Sequence, residues 1–184
     1  MLVISGPSGV GKDTLIRRLL ELDRNMVYSV SGTTRPPRRG EKPDENYTFL
    51  TRDEFERLIA KDAFLEHASY NGHLYGTFRD RLERARDAGR DVILKIDVHG
   101  ASQVRRLIPD AIFIFVVAPS ESELERRQAA RGSESPQDLD ARRHIAQEEM
   151  QYASSYDHVV TNDDVERAVE EILELVRRAR ARET

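Results

Sequence analysis

A glycine-rich segment near the start of the chain has the residue types and spacing of a phosphate-binding loop. Gly6, Gly11 and Lys12 occupy the fixed positions of the pattern G-x-x-x-x-G-K-[ST]. Glycines let backbone N–H groups approach phosphate oxygens, and the lysine brings a mobile positive charge to the β- and γ-phosphates. The candidate phosphate-binding residues are Gly6, Pro7, Ser8, Gly9, Val10, Gly11, Lys12, Asp13 and Thr14.

The residues on either side of this loop support the interpretation. Leu2–Ser5 is a short apolar run that predicts a buried strand, and Asp13–Leu22 has apolar residues at helical spacing. In a strand–loop–helix arrangement the helix N-terminus and the loop N–H groups face an anion. The sequence therefore predicts a site for nucleotide phosphates.

Asp13 departs from the pattern, because it stands where a serine or threonine hydroxyl normally binds Mg²⁺. Two interpretations compete. The carboxylate takes the place of the hydroxyl on Mg²⁺, directly or through water, since Mg²⁺ accepts carboxylate oxygens. Alternatively, its negative charge repels the phosphates and weakens ATP binding in the absence of metal. We predict the first, with Asp13 as the metal-binding residue.

Composition narrows the class of protein. The chain has 184 residues, which is enough for one domain with a small inserted lobe or lid. It contains no cysteine, which excludes disulfides and thiolate metal sites. Its net charge of −4 provides no overall attraction for nucleic acid. No apolar run has the length of a membrane span, and the first residues already read as a core strand, so we expect a cytoplasmic protein without membrane contact.

Strand-like and helix-like patterns alternate along the chain, which predicts an α/β fold with a mostly parallel sheet. The predicted strands are Leu2–Ser5, Met26–Val30, Val92–Ile96, Ile112–Val117 and His158–Thr161. The predicted helices are Asp13–Leu22, Arg52–Ala60, Phe78–Ala88, Gly100–Leu107, Ser120–Ala130, Asp138–Tyr152 and Asp164–Arg180. A proline-rich polar stretch followed by short strands predicts a separate lobe over about residues 32–80, and a second polar break at 131–136 predicts a mobile lid.

A second cluster of phosphate-binding residue types follows the second predicted strand. Arg35 and Arg38 lie three apart in a loop stiffened by prolines, and each guanidinium offers a planar set of donors that matches phosphate oxygens. Ser31, Tyr47 and Tyr75 add hydroxyl donors. Beside a nucleotide-binding loop, this cluster predicts a site for the anionic group that receives the phosphoryl group.

Other charged residues stand at positions suited to phosphoryl transfer. Asp97 follows a predicted buried strand at the carboxyl end, where open α/β sheets bind ligands, although a helix N-cap is an alternative role. Arginines at 127, 131, 142 and 143 flank the predicted lid, and phosphoryl transfer depends mainly on such positioned charge. The sequence does not distinguish which of Arg142 and Arg143 faces the phosphates.

Several short motifs together resemble guanylate kinases, in the order found in that family and over nearly the whole chain. They are Gly6–Lys12, Ser29–Arg38, Asn46–Phe49, Phe64–Ala68, Tyr75–Thr77, Ile96–Gly100, Arg131–Gly132 and Thr161–Asp164. The resemblance implies a P-loop NTPase-type three-layer fold with a central parallel sheet. It implies a core of about residues 1–31, 81–125 and 155–184, an acceptor lobe of about 32–80 and a helical lid of about 126–154.

The resemblance also implies the reaction ATP + GMP giving ADP + GDP, with Mg²⁺, and roles for individual residues. The implied ligands of GMP are Ser31, Arg35, Arg38, Tyr47, Glu66, Tyr75, Thr77 and Asp97, of which Glu66 and Asp97 read the guanine edge or neighbouring polar atoms. The implied catalytic residues are Lys12, Arg38, Asp97, Arg127, Arg131 and Arg143. Arg131, Asn162 and Asp163 join the glycine loop in binding ATP. We expect a monomer or homodimer with these two small-molecule substrates.

Three further positions depart from the family pattern. Gly32 stands where the family has His or Ser, Asp44 occupies a turn position often held by Gly, and Lys95 stands where an acid is common. The Gly-Lys-Asp sequence also resembles ribose-bisphosphate kinases, which keeps such a kinase as an alternative. A non-enzymatic phosphopeptide-binding module with the same fold is a second alternative, although those modules have degraded phosphate loops.

Overall fold

The computed structural model describes residues 1–38, 40–129 and 136–183, and it describes the side chains of these residues except those of 136–142 and 183. The strands are β1 Leu2–Ser5, β2 Met26–Tyr28, β3 Gly32–Thr33, β4 Thr48–Phe49, β5 Phe64–Tyr70, β6 His73–Phe78, β7 Asp91–Lys95, β8 Ile112–Val117 and β9 His158–Thr161. The helices are α1 Lys12–Leu22, α2 Arg52–Ala60, α3 Arg79–Asp87, α4 Val98–Leu107, α5 Glu121–Ala129, α6 Pro136–Met150 and α7 Val165–Glu183, with a 3-10 turn at Ala153–Ser155.

The larger sheet has the strand order β2-β7-β1-β8-β9. β2 pairs parallel to β7, and β8 pairs parallel to β9. The apolar runs of the three central strands β7, β1 and β8 are buried at consecutive residues and therefore on both faces, as parallel strands covered by helices are. All five strands were predicted to within two residues, and the prediction of an α/β fold with a central parallel sheet is confirmed.

The chain divides into two compact units. The first unit contains residues 1–3 and 25–111, and the second contains residues 4–24 and the chain from 112 onward. In the second unit, α1 and α7 contact each other, and Arg18 binds Glu166 with Nε at 2.8 Å from Oε1. Leu15, Phe115 and Ile172 are fully buried in its core.

The first unit holds a smaller sheet of order β4-β3-β6-β5, within the region predicted to form a separate lobe. β5 and β6 form an antiparallel hairpin closed by Asn71 and Gly72, both with positive φ. An Asn-Gly pair favours this turn because both residues tolerate the left-handed backbone conformation. The hairpin register places Glu66 opposite Thr77, and a register shift between Phe64 and Glu66 interrupts the pairing.

Three phenylalanines form the core of this sheet and its helix α2. Phe55 stacks on Phe64 with 4.4 Å between ring centroids, and Phe64 lies 5.0 Å from Phe78. Thr51 caps α2, with its side chain accepting from the backbone of Glu54 while the Glu54 carboxylate accepts from the backbone of Thr51. Burial of the phenylalanines anchors the strands from which the candidate ligands project.

In the described part of the chain, no helix is both long and apolar enough to cross a membrane.

Candidate functional site

The glycine loop has the backbone conformation that its sequence predicts. Gly6, Gly9 and Gly11 all have positive φ, a region that other residues rarely adopt. At Gly6 a Cβ atom would lie 2.1 Å from the backbone oxygen of Val116, so a side chain is excluded there. Gly11 stands at the N-cap of α1, and Thr14 N donates to its carbonyl oxygen at 3.1 Å. The loop therefore leads directly into a helix N-terminus, as an anion site requires.

Lys12 folds back over this loop. Its Nζ donates to the carbonyl oxygens of Gly6 and, at 3.1 Å, of Pro7. These contacts hold the ammonium group above the loop, next to the backbone that is expected to surround phosphates. Because they are single hydrogen bonds to neutral oxygens, a phosphate group, as a charged acceptor, can replace them with stronger ones.

Side chains from α5 and from the residue after β9 bind backbone carbonyl oxygens of the loop. Asn162 is buried and its Nδ2 donates to the Val10 oxygen at 2.7 Å, while Gln128 donates to the Ser8 oxygen at 2.7 Å. Arg127 donates to the Asn162 oxygen at 3.0 Å and to Glu123 at 2.7 Å. Its guanidinium is engaged by the protein, and its catalytic role stays a prediction.

Two acidic residues near this loop are exposed. Asp13 lies in the first turn of α1, where a negative charge interacts favourably with the helix dipole. Asp163 follows Asn162 and pairs with Arg167, which lowers the pKa of the Asp163 carboxyl below its ordinary value. Both carboxylates are accessible from solvent beside the residues expected to bind ATP.

The first unit brings the predicted acceptor cluster together around Arg35. The Arg35 guanidinium is largely buried, and its Nη2 lies 2.8 and 2.9 Å from the two carboxylate oxygens of Glu41. Glu41 also accepts from the backbone N–H of Arg38 at 2.7 Å. Glu41 thus closes the proline-rich loop and fixes the guanidinium, while the side chain of Arg38 is exposed.

Aromatic rings and a buried hydroxyl complete this cluster. The Tyr47 ring lies edge-on to the Tyr75 ring with 5.9 Å between centroids, and the Arg35 Cζ lies 5.4 Å from the Tyr47 centroid. Ser31 is 3 % exposed, and among the described residues its Oγ has no hydrogen-bond partner. A buried hydroxyl without a partner is costly, so this atom is suited to a bound ligand.

Glu66 is the most unusual charged residue of the first unit. It is 4 % exposed, and Thr77 Oγ1 donates to its Oε1 at 2.7 Å. A Cβ atom on Gly100 would lie 2.4 Å from Glu66 Oε2, so the glycine leaves the space that the carboxylate occupies. Burial raises the pKa of Glu66 to about 7, with a further contribution from the negative charge of Asp97. Near neutral pH this carboxyl group changes its protonation state readily.

Asp97 caps α4, which begins at Val98, two residues earlier than predicted. Its Oδ1 accepts from the backbone N–H groups of His99 at 2.8 Å and Gly100 at 2.9 Å. The alternative role considered from the sequence, a helix N-cap, is therefore present. The cap engages Oδ1, so it is compatible with a second contact through Oδ2.

The predicted lid arginines are described only in part. Arg131 lies outside the described residues, as does the side chain of Arg142. Arg143 is exposed and its Nε lies 3.0 Å from Oε1 of Glu125. No described contact of Arg143 therefore tests its predicted catalytic role.

Sequence reasoning missed three residues that shape these sites. Gln128 braces the glycine loop, Glu41 fixes Arg35, and Gly100 makes room for Glu66. Gln128 does carry a signal, because it lies four residues after the buried Leu124 and thus on the inner face of α5. The roles of Glu41 and Gly100 depend on contacts that local sequence patterns do not specify.

Comparison with known proteins gives a consistent result. The family model described as "Guanylate kinase" matches residues 1–179. A guanylate kinase from Rubrobacter xylanophilus is 49% identical over 97% of this chain and 93% of its own length. One from Caldanaerobacter subterraneus is 44% identical over 96% of this chain and 85% of its own length.

A solved structure agrees with the sequence matches. The crystal structure of guanylate kinase from Anaplasma phagocytophilum superimposes with a TM-score of 0.81 at 35% identity, covering 96% of this chain and 84% of that one. The chain belongs to the guanylate kinase family, whose general reaction is transfer of a phosphoryl group from ATP to GMP.

Proposed function

We propose that this chain carries out the family reaction with ATP phosphates bound by the glycine loop and GMP bound by residues of the first unit. The observation that carries the proposal is the buried carboxylate of Glu66, which lies in the same unit as Arg35 and the Ser31 hydroxyl, an atom with no hydrogen-bond partner among the described residues. This combination suits a ligand with hydrogen-bond donors at one end and a phosphate at the other. GMP has both features.

Guanine recognition follows from the chemistry of Glu66. Guanine presents N1–H and N2–H₂ as adjacent donors, and an ionised carboxylate can accept from both. Thr77 already donates to one Glu66 oxygen, which holds the carboxylate in a fixed orientation. Adenine lacks this donor pair, so it would leave the buried carboxylate unsatisfied, and sites built on buried polar pairing discriminate strongly.

The phosphate of GMP is assigned to the cluster around Arg35. Arg35 is held in place by Glu41 and by the Tyr47 ring, so little side-chain entropy is lost when the anion binds. Arg38, Tyr47, Tyr75 and Ser31 supply further donors from the same unit. Glu41 binds the backbone N–H of Arg38, while the exposed side chain of Arg38 suits a residue that follows the phosphate during the reaction.

The chemical step needs charge stabilisation rather than a base. An oxygen of the GMP phosphate forms a bond to the γ-phosphorus of ATP as the bond from that phosphorus to the ADP oxygen breaks. A dianionic phosphate has no proton to lose in this step. The transition state spreads negative charge over the transferred oxygens, and Lys12, Arg38 and the arginines at 127, 131 and 143 are the proposed sources of positive charge.

We assign Mg²⁺ binding to Asp13. Within the described residues no cluster of three or more acidic or histidine side chains is placed to hold a metal ion. Magnesium in phosphoryl-transfer sites is usually bound by one or two carboxylates together with substrate phosphates, and the exposed Asp13 carboxylate in the first turn of α1 fits that mode. When bound, the ion neutralises charge on the ATP phosphates.

A cytoplasmic location remains a prediction from the sequence.

The acceptor is tested by following ADP formation with GMP, dGMP, AMP and ribose 1,5-bisphosphate. We expect turnover with GMP or dGMP and a kcat/KM at least about a hundredfold lower with AMP, because adenine leaves Glu66 unsatisfied. Lys12→Ala is the inactive control. Turnover with ribose 1,5-bisphosphate alone would identify the alternative kinase. Absence of turnover with every acceptor would reject the enzyme and leave the phosphopeptide-binding module.

The role of Asp13 is tested by titrating Mg²⁺ against activity for the wild type and Asp13→Ser. We expect the variant to need more Mg²⁺ for half-maximal activity, because a serine hydroxyl is a weaker ligand of the ion than a carboxylate. Without Mg²⁺ the variant should lose less ATP binding than the wild type, whose carboxylate charge then faces the phosphates, so the wild type depends more strictly on the metal. Asp53→Ser is a matched control, since Asp53 occupies the same exposed first-turn position on α2. Coincident curves for all three proteins would show that Asp13 does not act on the metal.

Recognition of guanine by Glu66 predicts a pH dependence. Because burial raises the pKa of this carboxyl group to about 7, its ionised fraction falls as the pH decreases below that value. The KM for GMP should therefore rise by roughly tenfold between pH 8 and pH 6, since each pH unit below the pKa lowers the ionised fraction by up to tenfold. Glu66→Gln should lose this step and keep the shallower dependence due to the GMP phosphate. A wild-type KM that is constant from pH 8 to pH 6 would exclude the assigned role.

A further inference from the structure

Lys95 places an additional positive charge in the cluster around Tyr47. It is the last residue of β7, partly buried, and two residues before Asp97. Its Nζ lies 4.8 Å from the centroid of the Tyr47 ring and 5.6 Å from that of Tyr28. Both distances are within the range of cation–π contacts, so the two rings contribute to holding the ammonium group at this position.

Tyr47 thereby contacts two cations. The Arg35 guanidinium lies 5.4 Å from the same ring centroid, on a side chain that Glu41 also binds. Glu41 pairs with Arg35 and offsets its charge, so the Lys95 ammonium group adds positive charge beside that pair for a ligand that carries close to two negative charges. A phosphate monoester carries that charge near neutral pH.

We propose that Lys95 is an additional ligand of the phosphate of the acceptor nucleotide. Its four-carbon stem is flexible, so the ammonium group can move from the ring faces to an anion bound at the Tyr47 hydroxyl. The tyrosine rings hold the cation near this place before the ligand arrives. This inference rests on the proposed function only in assigning the phosphate of GMP to the cluster of Arg35 and Tyr47.

The assignment separates two parts of the ligand. Glu66 and Thr77 contact each other beside Gly100, and in the proposed function they bind the base. Lys95 contacts the ring that belongs to the phosphate cluster. Removing the charge of Lys95 should therefore weaken binding of a nucleotide and leave binding of the corresponding nucleoside unchanged.

The experiment measures binding of GMP and of guanosine by calorimetry in the absence of ATP, at low and at moderate salt. Lys95→Met removes the charge and keeps the length of the side chain. We expect it to raise the Kd for GMP by about ten- to a hundredfold, the size expected for loss of one charge-assisted hydrogen bond, and to leave the Kd for guanosine within about twofold. The affinity of the variant for GMP should also depend less steeply on salt.

Two further variants make the outcome interpretable. Lys42→Met is the matched control, because Lys42 is an exposed lysine of the same unit that pairs with Glu45, and it should bind GMP as the wild type does. Lys95→Arg keeps the charge and should retain affinity within about fivefold. If Lys95→Met does not fold, as judged by circular dichroism, Lys95→Gln replaces it.

The inference is overturned if the charge-removing variant binds GMP as tightly as the wild type, or if guanosine binding weakens as much as GMP binding. Its failure is distinct from failure of the proposed function. Wild-type turnover of GMP with an insensitive Lys95 variant would reject only the role of Lys95. Charge-dependent GMP binding without any turnover would support Lys95 and reject the proposed reaction.

Discussion

Burial of the Glu66 carboxylate is the constraint on which the proposed recognition of the acceptor nucleotide depends. An ionised carboxylate removed from water is strongly disfavoured unless donors surround it. In this structure Thr77 donates to Oε1 of Glu66, while burial and the negative charge of Asp97 raise the Glu66 pKa to about 7. In the proposed function, guanine N1–H and N2–H₂ supply further donors to this carboxylate, so that the unit selects its ligand by donors rather than by shape alone.

Several features of the fold serve this one carboxylate. The β5–β6 hairpin sets the register that places Thr77 opposite Glu66, and the three packed phenylalanines hold both strands in position. Gly100 leaves space beside the carboxylate, and its backbone N–H is one of the two that Asp97 caps. The glycine loop of the second unit is organised differently, because side chains such as Asn162 bind its carbonyl oxygens, and in the proposed function its backbone N–H groups are the donors to phosphate.

The sequence predicted the elements of this fold better than the contacts of its sites. Periodicity located the strands of the larger sheet because apolar runs and helical spacing are local signals. The Asn71–Gly72 turn was also a local signal, yet the hairpin it closes was not predicted. The pairing of Glu66 with Thr77, and the fit of its carboxylate against Gly100, arise from chain segments that are distant in sequence. A single sequence contains no periodic pattern that reports such contacts, and the family resemblance alone pointed to Glu66.

The most direct test of this account is the pKa of Glu66, measured by carbon-13 NMR of the glutamate carboxyl groups, with Glu66→Gln used to assign the signal. The account predicts a pKa of about 7 in the free protein. On binding GMP it should fall by at least about one unit, because the guanine donors stabilise the ionised form. A free-protein pKa in the ordinary range for glutamate, or a value that GMP does not change, would contradict it.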